Sequence, residues 1–462
     1  MIELSLSEIT AALGGELVIG NPETLVSGRV GTDSRELAAG DIFFAKHGAS
    51  DDGHRYLDGL ASEGIALAVV SEPRPDLKLN QILVSDTVVA LAQLAELVLS
   101  RLRPNGLKVI GITGSNGKTS TKNMLAAMLQ EVGETVSPQG SYNNEVGLPL
   151  TVLQITEQTE FLILEYGAAG LGSISRLSSW TRPDLAAVLK VGMAHAGNFG
   201  GIENTAKIKA ELFDDVAELA VINADDPIVS GFKPADNIPI RSFGFDAKAD
   251  VRVLGVEITL AGTGVQLLVD GQRFDAQLQI LGEHHALNLA AALVLAIAVG
   301  CDPKRAIAAV EELENPGRWR MQLMESPAGH FVINDAYNAS PESMRAALQT
   351  LATLGRQGNR TIAVLGHMAE LGEYSVAEHD QLGRLVVRYN IDHLFAVGDG
   401  SKLIHMGAMQ EGSWAGESEH HDSISAGFEA IREKLRPGDV VLVKASNSTG
   451  LRFLGDDLAG LK

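Results

Sequence analysis

The chain has 462 residues, with 58 acidic against 37 basic side chains and a formal net charge of −21 at pH 7. That balance excludes a general binder of nucleic acid or of acidic membrane surfaces, because both need a basic face; it leaves room for a nucleotide gripped locally by backbone N–H groups. A length of 462 residues suggests about two to four domains and a hydrophobic fraction of 45% supplies their cores, and a lone cysteine, Cys301, excludes an internal disulfide and fits a reducing cytoplasm.

In chain order, the first 15 residues lack the basic start of a signal peptide. They predict a short helix with Ser5 and Glu8 as a capping box, ended by Gly14 and Gly15. Strand-like runs follow at Asp41–Ala45, Ala66–Val70 and Gln81–Val84, then a helix over Val88–Leu102. Arg103-Pro104-Asn105-Gly106 reads as a linker, which bounds a first domain at 1–105.

From 106 to 316, short apolar strands alternate with helices: a strand at Lys108–Thr113, a helix to Gln130, strands at Phe161–Glu165 and Leu185–Val191, a helix over Glu203–Val216, and a strand at Ala220–Asn223. That alternation predicts a parallel α/β sheet. Residues 250 to 281 read as antiparallel hairpins, with turn signals at Gly262-Thr263-Gly264 and Asp270-Gly271. Helices over Leu287–Val299 and Lys304–Leu313 follow, and Asn315-Pro316-Gly317 closes this second domain. The most apolar window, Ala286–Gly300, is too short to span a bilayer, so no membrane insertion is expected.

The third domain, 317–462, alternates again. Strands are predicted at Phe331–Asn334, Thr361–Leu365, His393–Val397 and Val440–Lys444, and helices at Pro341–Leu354, Ala377–Tyr389 and Ser425–Leu435. This is the pattern of a smaller, Rossmann-like doubly wound domain.

The chemistry concentrates in Gly111-Ile112-Thr113-Gly114-Ser115-Asn116-Gly117-Lys118-Thr119-Ser120-Thr121-Lys122. Glycines free the backbone to approach an anion, and the helix that opens near Lys118 aims its unpaired N–H groups and positive dipole end the same way. Lys118 supplies a charge for the outer phosphates and Thr119 a hydroxyl for Mg²⁺. The spacing is G-x-x-G-x-x-G-K-T; the stricter G-x-x-x-x-G-K-[ST] would need a glycine where Ile112 stands. Glu165 ends a buried strand after this loop, where a carboxylate can hold Mg²⁺. His195 lies just past a third strand, and ligands of such sheets gather beyond the strands' carboxyl ends. Lys209 shares a helix face with Leu212 and Phe213, an odd place for an ammonium unless it snorkels or is held neutral and modified.

These segments resemble the Mur ligase family of peptidoglycan synthesis, over nearly the whole chain. The loop at 111–122, Glu165, His195, Ala206–Phe213 around Lys209, Gly282–Asn288, Pro316-Gly317-Arg318 and Asp335–Pro341 fall in the family's order. Ser141–Leu150, Asp335–Asn338 and Leu365–Gly372 point to the branch that adds D-alanyl-D-alanine to UDP-N-acetylmuramoyl-tripeptide. The D-N-P-R motif of many members of the neighbouring, tripeptide-forming branch is absent.

The resemblance implies three domains: an N-terminal UDP-substrate-binding α/β domain, a central P-loop ATP-binding domain, and a C-terminal Rossmann-like domain. It implies a cytoplasmic, monomeric enzyme that uses ATP and Mg²⁺ and passes through an acyl phosphate. Gly114, Ser115, Asn116, Gly117, Lys118, Thr119 and Ser120 would hold the phosphates. Asn288 would meet adenine, and Arg318, Asp335, Tyr337 and Asn338 the nucleotide from the third domain. Thr119, Glu165, His195 and a carbamylated Lys209 would hold metal, and Lys118, His195 and Lys209 would be catalytic. Ser34 and Arg35 would bind the UDP end of the substrate, and Asn143 and Asn144 its sugar or peptide portion. A tripeptide-forming relative, folylpolyglutamate synthetase and an ATP-switched scaffold of the same fold are the alternatives. His367, Lys190 and His285 stand where family members often carry Asp, Asn and Asn.

Overall fold

A computed structural model describes residues 1–48, 51–235, 237–313, 317–412 and 414–461. The predicted boundary at Pro316, with Asn315 beside it, lies outside the described residues.

The N-terminal capping box forms as read. Ser5 caps the helix Leu6–Ala12, accepting from the Glu8 amide while the Glu8 carboxylate accepts from the Ser5 amide. A five-stranded sheet follows, with Ile42–Phe44 and Leu67–Val70 buried at its centre. Asp86 caps the helix Thr87–Leu102, one residue earlier than its apolar pattern suggests. That helix packs its buried side chains into a core shared with Val109, Leu148, Leu162 and Leu164 of the following segment.

The central sheet has nine strands. Lys108–Thr113 pairs in parallel with Phe161–Glu165 on one side and Leu185–Val188 on the other. The first strand thus sits where the chain changes direction across the sheet, and a crevice opens at its carboxyl end. Register places Ile112 opposite Glu165 and Thr113 opposite Val188, which delivers three strand ends to that crevice. The predicted hairpins appear as Val251–Thr259, Gly262–Val269 and Gln272–Leu278, antiparallel at the sheet edge. The predicted helix Glu203–Val216 is shorter: it runs Ile202–Ala210 and tightens to a 3₁₀ turn at Glu211–Asp214. Glu211 explains the break, because its carboxylate accepts from the amides of Gly172, Ile174 and Ser175 at the start of a neighbouring helix. The helix Glu283–Ala298 is apolar nearly all round and buried, as a helix between layers must be. Cys301 follows it, buried, its thiol facing the Met128 carbonyl at 3.7 Å.

The third segment forms a six-stranded sheet, ordered Gln322–Glu325, Phe331–Asn334, Val440–Lys444, Thr361–Leu365, His393–Val397 and Glu417–His421. Only the first pair is antiparallel. On one side, the helices Ser375–Arg388 and Lys402–Gln410 meet backbone to backbone at Gly383 and Gly407. A Cβ on Gly383 would lie 1.9 Å from the Ile404 carbonyl oxygen. Gly383→Ala should therefore destabilise this segment by about 2–3 kcal/mol, seen as a lower first midpoint in urea or thermal unfolding; an unchanged midpoint would show that the helices part without cost. No helix among the described residues is long and apolar enough to cross a membrane.

Candidate active site

The glycine-rich loop leaves its strand at Thr113 and enters the helix Lys118–Gln130 through Gly117, whose φ of 89° is the left-handed conformation that glycine adopts freely. A side chain there would also strike Asn288, whose Oδ1 lies 2.5 Å from the Cβ position. The loop is pinned from the third strand end: the Ser115 amide donates to the Lys190 carbonyl at 2.8 Å, and the Gly192 amide donates to the Ser115 hydroxyl at 2.9 Å. Asn116 accepts from the Ser340 hydroxyl of the third segment at 3.2 Å, while its buried Nδ2 has no partner among the described residues.

Lys118 curls back so that its Nζ donates to the Gly114 carbonyl at 2.7 Å. Burial pushes its pKa below the usual lysine value, against the raising pull of Glu165. Glu165 is 1% exposed, a carboxylate taken almost wholly out of water. It accepts from the Thr119 hydroxyl at 3.0 Å and from Asn143 Nδ2 at 2.8 Å, with no ion pair to any cation among the described residues. A buried carboxylate with no cation in direct contact is costly. Beside a threonine hydroxyl at a phosphate cradle, it fits a hard divalent cation.

Lys209 lies beneath this floor, 3% exposed, and does not line the cleft. Burial, and then the charge of Lys118, push its pKa down to about 7. Its amine is therefore in large part neutral near physiological pH, the form that reacts with CO₂. His195 stands on the rim in a left-handed conformation, φ 62°. Its Nδ1 is hydrogen-bonded to the carboxylate of Glu370, which reaches over from the third segment and is itself left-handed at φ 63°.

The third segment forms the cleft's other wall. Asp335, Tyr337 and Asn338 all line it, as does Asn288 from below. Arg318 does not: it pairs with Asp456 at 3.2 Å and lies over Trp319. Arg320, two residues on, lines the cleft instead, its guanidinium 4.3 Å over the Tyr337 ring. Lys444 was not anticipated either. It is 2% exposed and ties Asp335 (2.7 Å) to the Asn338 carbonyl (2.9 Å). His284, half-buried, and His285, buried, add two imidazoles to the wall, with His284 lowered to about 4 by burial. His285 is also lowered by burial, and its Nε2 is unpartnered among the described residues.

The remaining predicted residues divide. Ser34 and Arg35 line a separate hollow in the first segment with Thr32, Lys46 and Tyr56, where Arg35 is clamped to Asp33 at 2.6 Å. Asn143 belongs to the cleft through Glu165. Asn144 lines neither hollow; its Oδ1 accepts from the amides of Val146 and Gly147 and caps the turn into Gly147–Val152.

Comparison with known proteins matches this arrangement. Residues 28–98 match the profile of the Mur ligase family, catalytic domain; 112–296 match the Mur ligase middle domain; and 319–447 match the Mur ligase, glutamate ligase domain. The UDP-N-acetylmuramoyl-tripeptide--D-alanyl-D-alanine ligase of Mycobacterium bovis is 38% identical, over 99% of this chain and 98% of its own. Among solved structures, MurF from Acinetobacter baumannii superposes with a TM-score of 0.89 at 29% identity, covering 100% of this chain and 99% of the other. MurF from Thermotoga maritima, in complex with ADP, gives 0.80 at 26% identity, covering 94% and 99%. With the phosphate loop, the buried carboxylate and the three-part architecture already in place, these matches establish that the chain belongs to the Mur ligase family and falls with its MurF members.

Proposed function

We propose that this chain is an ATP-dependent ligase that joins D-alanyl-D-alanine to UDP-N-acetylmuramoyl-tripeptide, forming the pentapeptide precursor of peptidoglycan. Unaided, a carboxylate and an amine do not condense in neutral water, because oxide is a poor leaving group. ATP removes the obstacle. The tripeptide's terminal carboxylate attacks the γ-phosphorus, ADP leaves, and an acyl phosphate forms. The dipeptide's amine then attacks the acyl carbon: a C–N bond forms, the C–O bond to phosphate breaks, and phosphate and one proton depart.

The observation that carries this reading is Glu165, a buried carboxylate with no cation in direct contact among the described residues, beside Thr119 at the mouth of the Lys118 loop. Thr119, Glu165, His195 and a carbamylated Lys209 would hold Mg²⁺, which when bound lessens the repulsion between two anions brought together. Lys118 would leave the Gly114 carbonyl for the outer phosphates, and Arg320 would approach the same charge from the third segment. Asp335, fixed by Lys444, would meet the ribose side of the nucleotide, and Asn288 the base. The hollow at Ser34 and Arg35 would take the UDP end of the substrate. The acyl phosphate must be shielded from water, which the seam between the central and third segments serves. We assign the boundaries 1–105, 106–316 and 317–462 to these three roles, in a monomer working in the cytoplasm where ATP is supplied.

The test measures phosphate release with MgATP, D-alanyl-D-alanine and UDP-N-acetylmuramoyl-tripeptides ending in diaminopimelate or lysine. Release is expected only when ATP, tripeptide and dipeptide are all present. Background release with the full mixture would reduce the chain to an ATP-switched scaffold.

A further inference from the structure

Lys122 lies one turn beyond Lys118 on the helix that follows the phosphate loop. It is 2% exposed, does not line the nucleotide cleft, and forms no ion pair among the described residues. Its Nζ donates instead to the carbonyls of Pro138 and Gly140, and burial pulls its pKa down to about 8. An ammonium taken out of water is costly, and a methionine of similar length would avoid that cost. What the charge holds in place accounts for it.

Those carbonyls belong to the loop that joins the strand Thr135–Val136 to the helix Gly147–Val152. Among the described residues, no amide or carbonyl of 138–142 is hydrogen-bonded to the backbone of another element. Lys122 is thus the loop's main-chain anchor. Gly140 turns the chain there, at a φ of 59°. Past the turn, Ser141 and Asn143 line the nucleotide cleft, where Asn143 donates to Glu165 at 2.8 Å. Tyr142, between them, lines a different space. It is 42% exposed and borders a hollow of 440 Å³ with Arg29, Thr32 and Asp33 of the first segment. Thr32 and Asp33 also border the hollow of Ser34 and Arg35. Three spaces therefore follow one another from Ser34 to Glu165, and the anchored loop is the stretch of chain shared by the last two.

A substrate with a nucleotide at one end and the reacting carboxylate at the other must be held along its length for that carboxylate to reach the γ-phosphate in line. We infer that Lys122 is a positioning residue for the UDP-tripeptide: it ties the loop 138–143 to the phosphate helix, so that Tyr142 and Asn143 meet the substrate on its way to the cleft, while Lys122 itself touches neither substrate nor nucleotide. The inference rests on the ligase reading above and adds to it the residue that sets the substrate loop against the phosphate loop.

The test measures KM for UDP-N-acetylmuramoyl-tripeptide and for ATP in wild type, Lys122→Met, Lys122→Gln, Tyr142→Ala and the double variant of Lys122→Met with Tyr142→Ala. The ratio of the two KM values is read within each protein, so partial unfolding cancels. In Lys122→Met, KM for the tripeptide should rise about 10-fold or more and KM for ATP by less than about 3-fold. Lys122→Gln keeps a donor for the carbonyls and should fall between; it carries the test if Lys122→Met does not fold. Tyr142→Ala, at an exposed position, should also raise KM for the tripeptide, and adding it to Lys122→Met should raise it little further, because both act through one loop. Equal rises for both substrates, or a loss confined to kcat, would tie Lys122 to the nucleotide or to packing alone and overturn the inference. So would effects of the two substitutions that simply multiply, or a failure of both Lys122 variants to fold. A wild type that does not ligate at all would refute the parent function instead, a result distinct from these.

Discussion

Lys118→Ala is expected to lower turnover by about 10³-fold or more, some 4 kcal/mol of lost transition-state stabilisation. The transferring phosphoryl group is attacked by an anion and leaves another behind, so charge accumulates where the loop delivers its lysine. That lysine is half-buried at the cleft wall, with its pKa pushed down by burial, and it is parked 2.7 Å from a carbonyl of its own loop. A triphosphate offers the ammonium a stronger partner at the same place, at little reorganisation cost. The loss should fall mainly on kcat, because amides of the loop still grip the nucleotide. Phosphate release at saturating substrates measures it. Near-normal turnover in a folded variant would remove Lys118 from the chemistry.

The second large effect concerns Lys209. Lys209→Ala should abolish ligation to below about one part in a hundred, and bicarbonate should not restore it. In wild type, stripping CO₂ should depress activity and returning bicarbonate should recover it. The reaction is R–NH₂ + CO₂ → R–NHCOO⁻ + H⁺, and it requires the neutral amine. With a pKa pushed down to about 7 by burial and by Lys118, the amine is mostly neutral at pH 8. As pH falls through 7 it gains a proton, and by pH 6 about one in ten remains reactive. Carbamate formation should therefore be retained above pH 7 and lost below it. ¹³C NMR under labelled CO₂ reads the adduct without relying on turnover. No carbamate signal at pH 8, together with activity indifferent to CO₂, would leave Lys209 as an unmodified buried amine.

Much of this was legible in the chain. The phosphate loop could be read because its conformation is local: Gly117 must take a positive φ, Lys118 must open a helix, and both demands are written in adjacent residues. Glu165 was visible for a related reason, a charge ending an otherwise apolar strand. The same signal was present at Lys444, which ends the buried strand Val440–Lys444, and should have flagged it. Arg318 and Arg320 are harder to separate. Both are arginines beside the same turn, and only the folded chain shows that Asp456, 138 residues away, claims the first and leaves the second to the cleft. Asn144 looked like a ligand beside Asn143, yet its side chain is consumed locally as a cap. Glu370 gave no signal of its own; its meeting with His195 spans 175 residues and exists only once two sheets dock.

The lone sulfhydryl has a practical consequence. Cys301 is buried, its pKa is raised by that burial, and no second cysteine exists to trap it. Peroxide and maleimides act on accessible thiolates, and this chain presents none. A cysteine engineered into any exposed loop would thus be the sole attachment point for a dye or spin label, and whether the third segment moves when nucleotide binds could be tested by spectroscopy without first stripping native thiols.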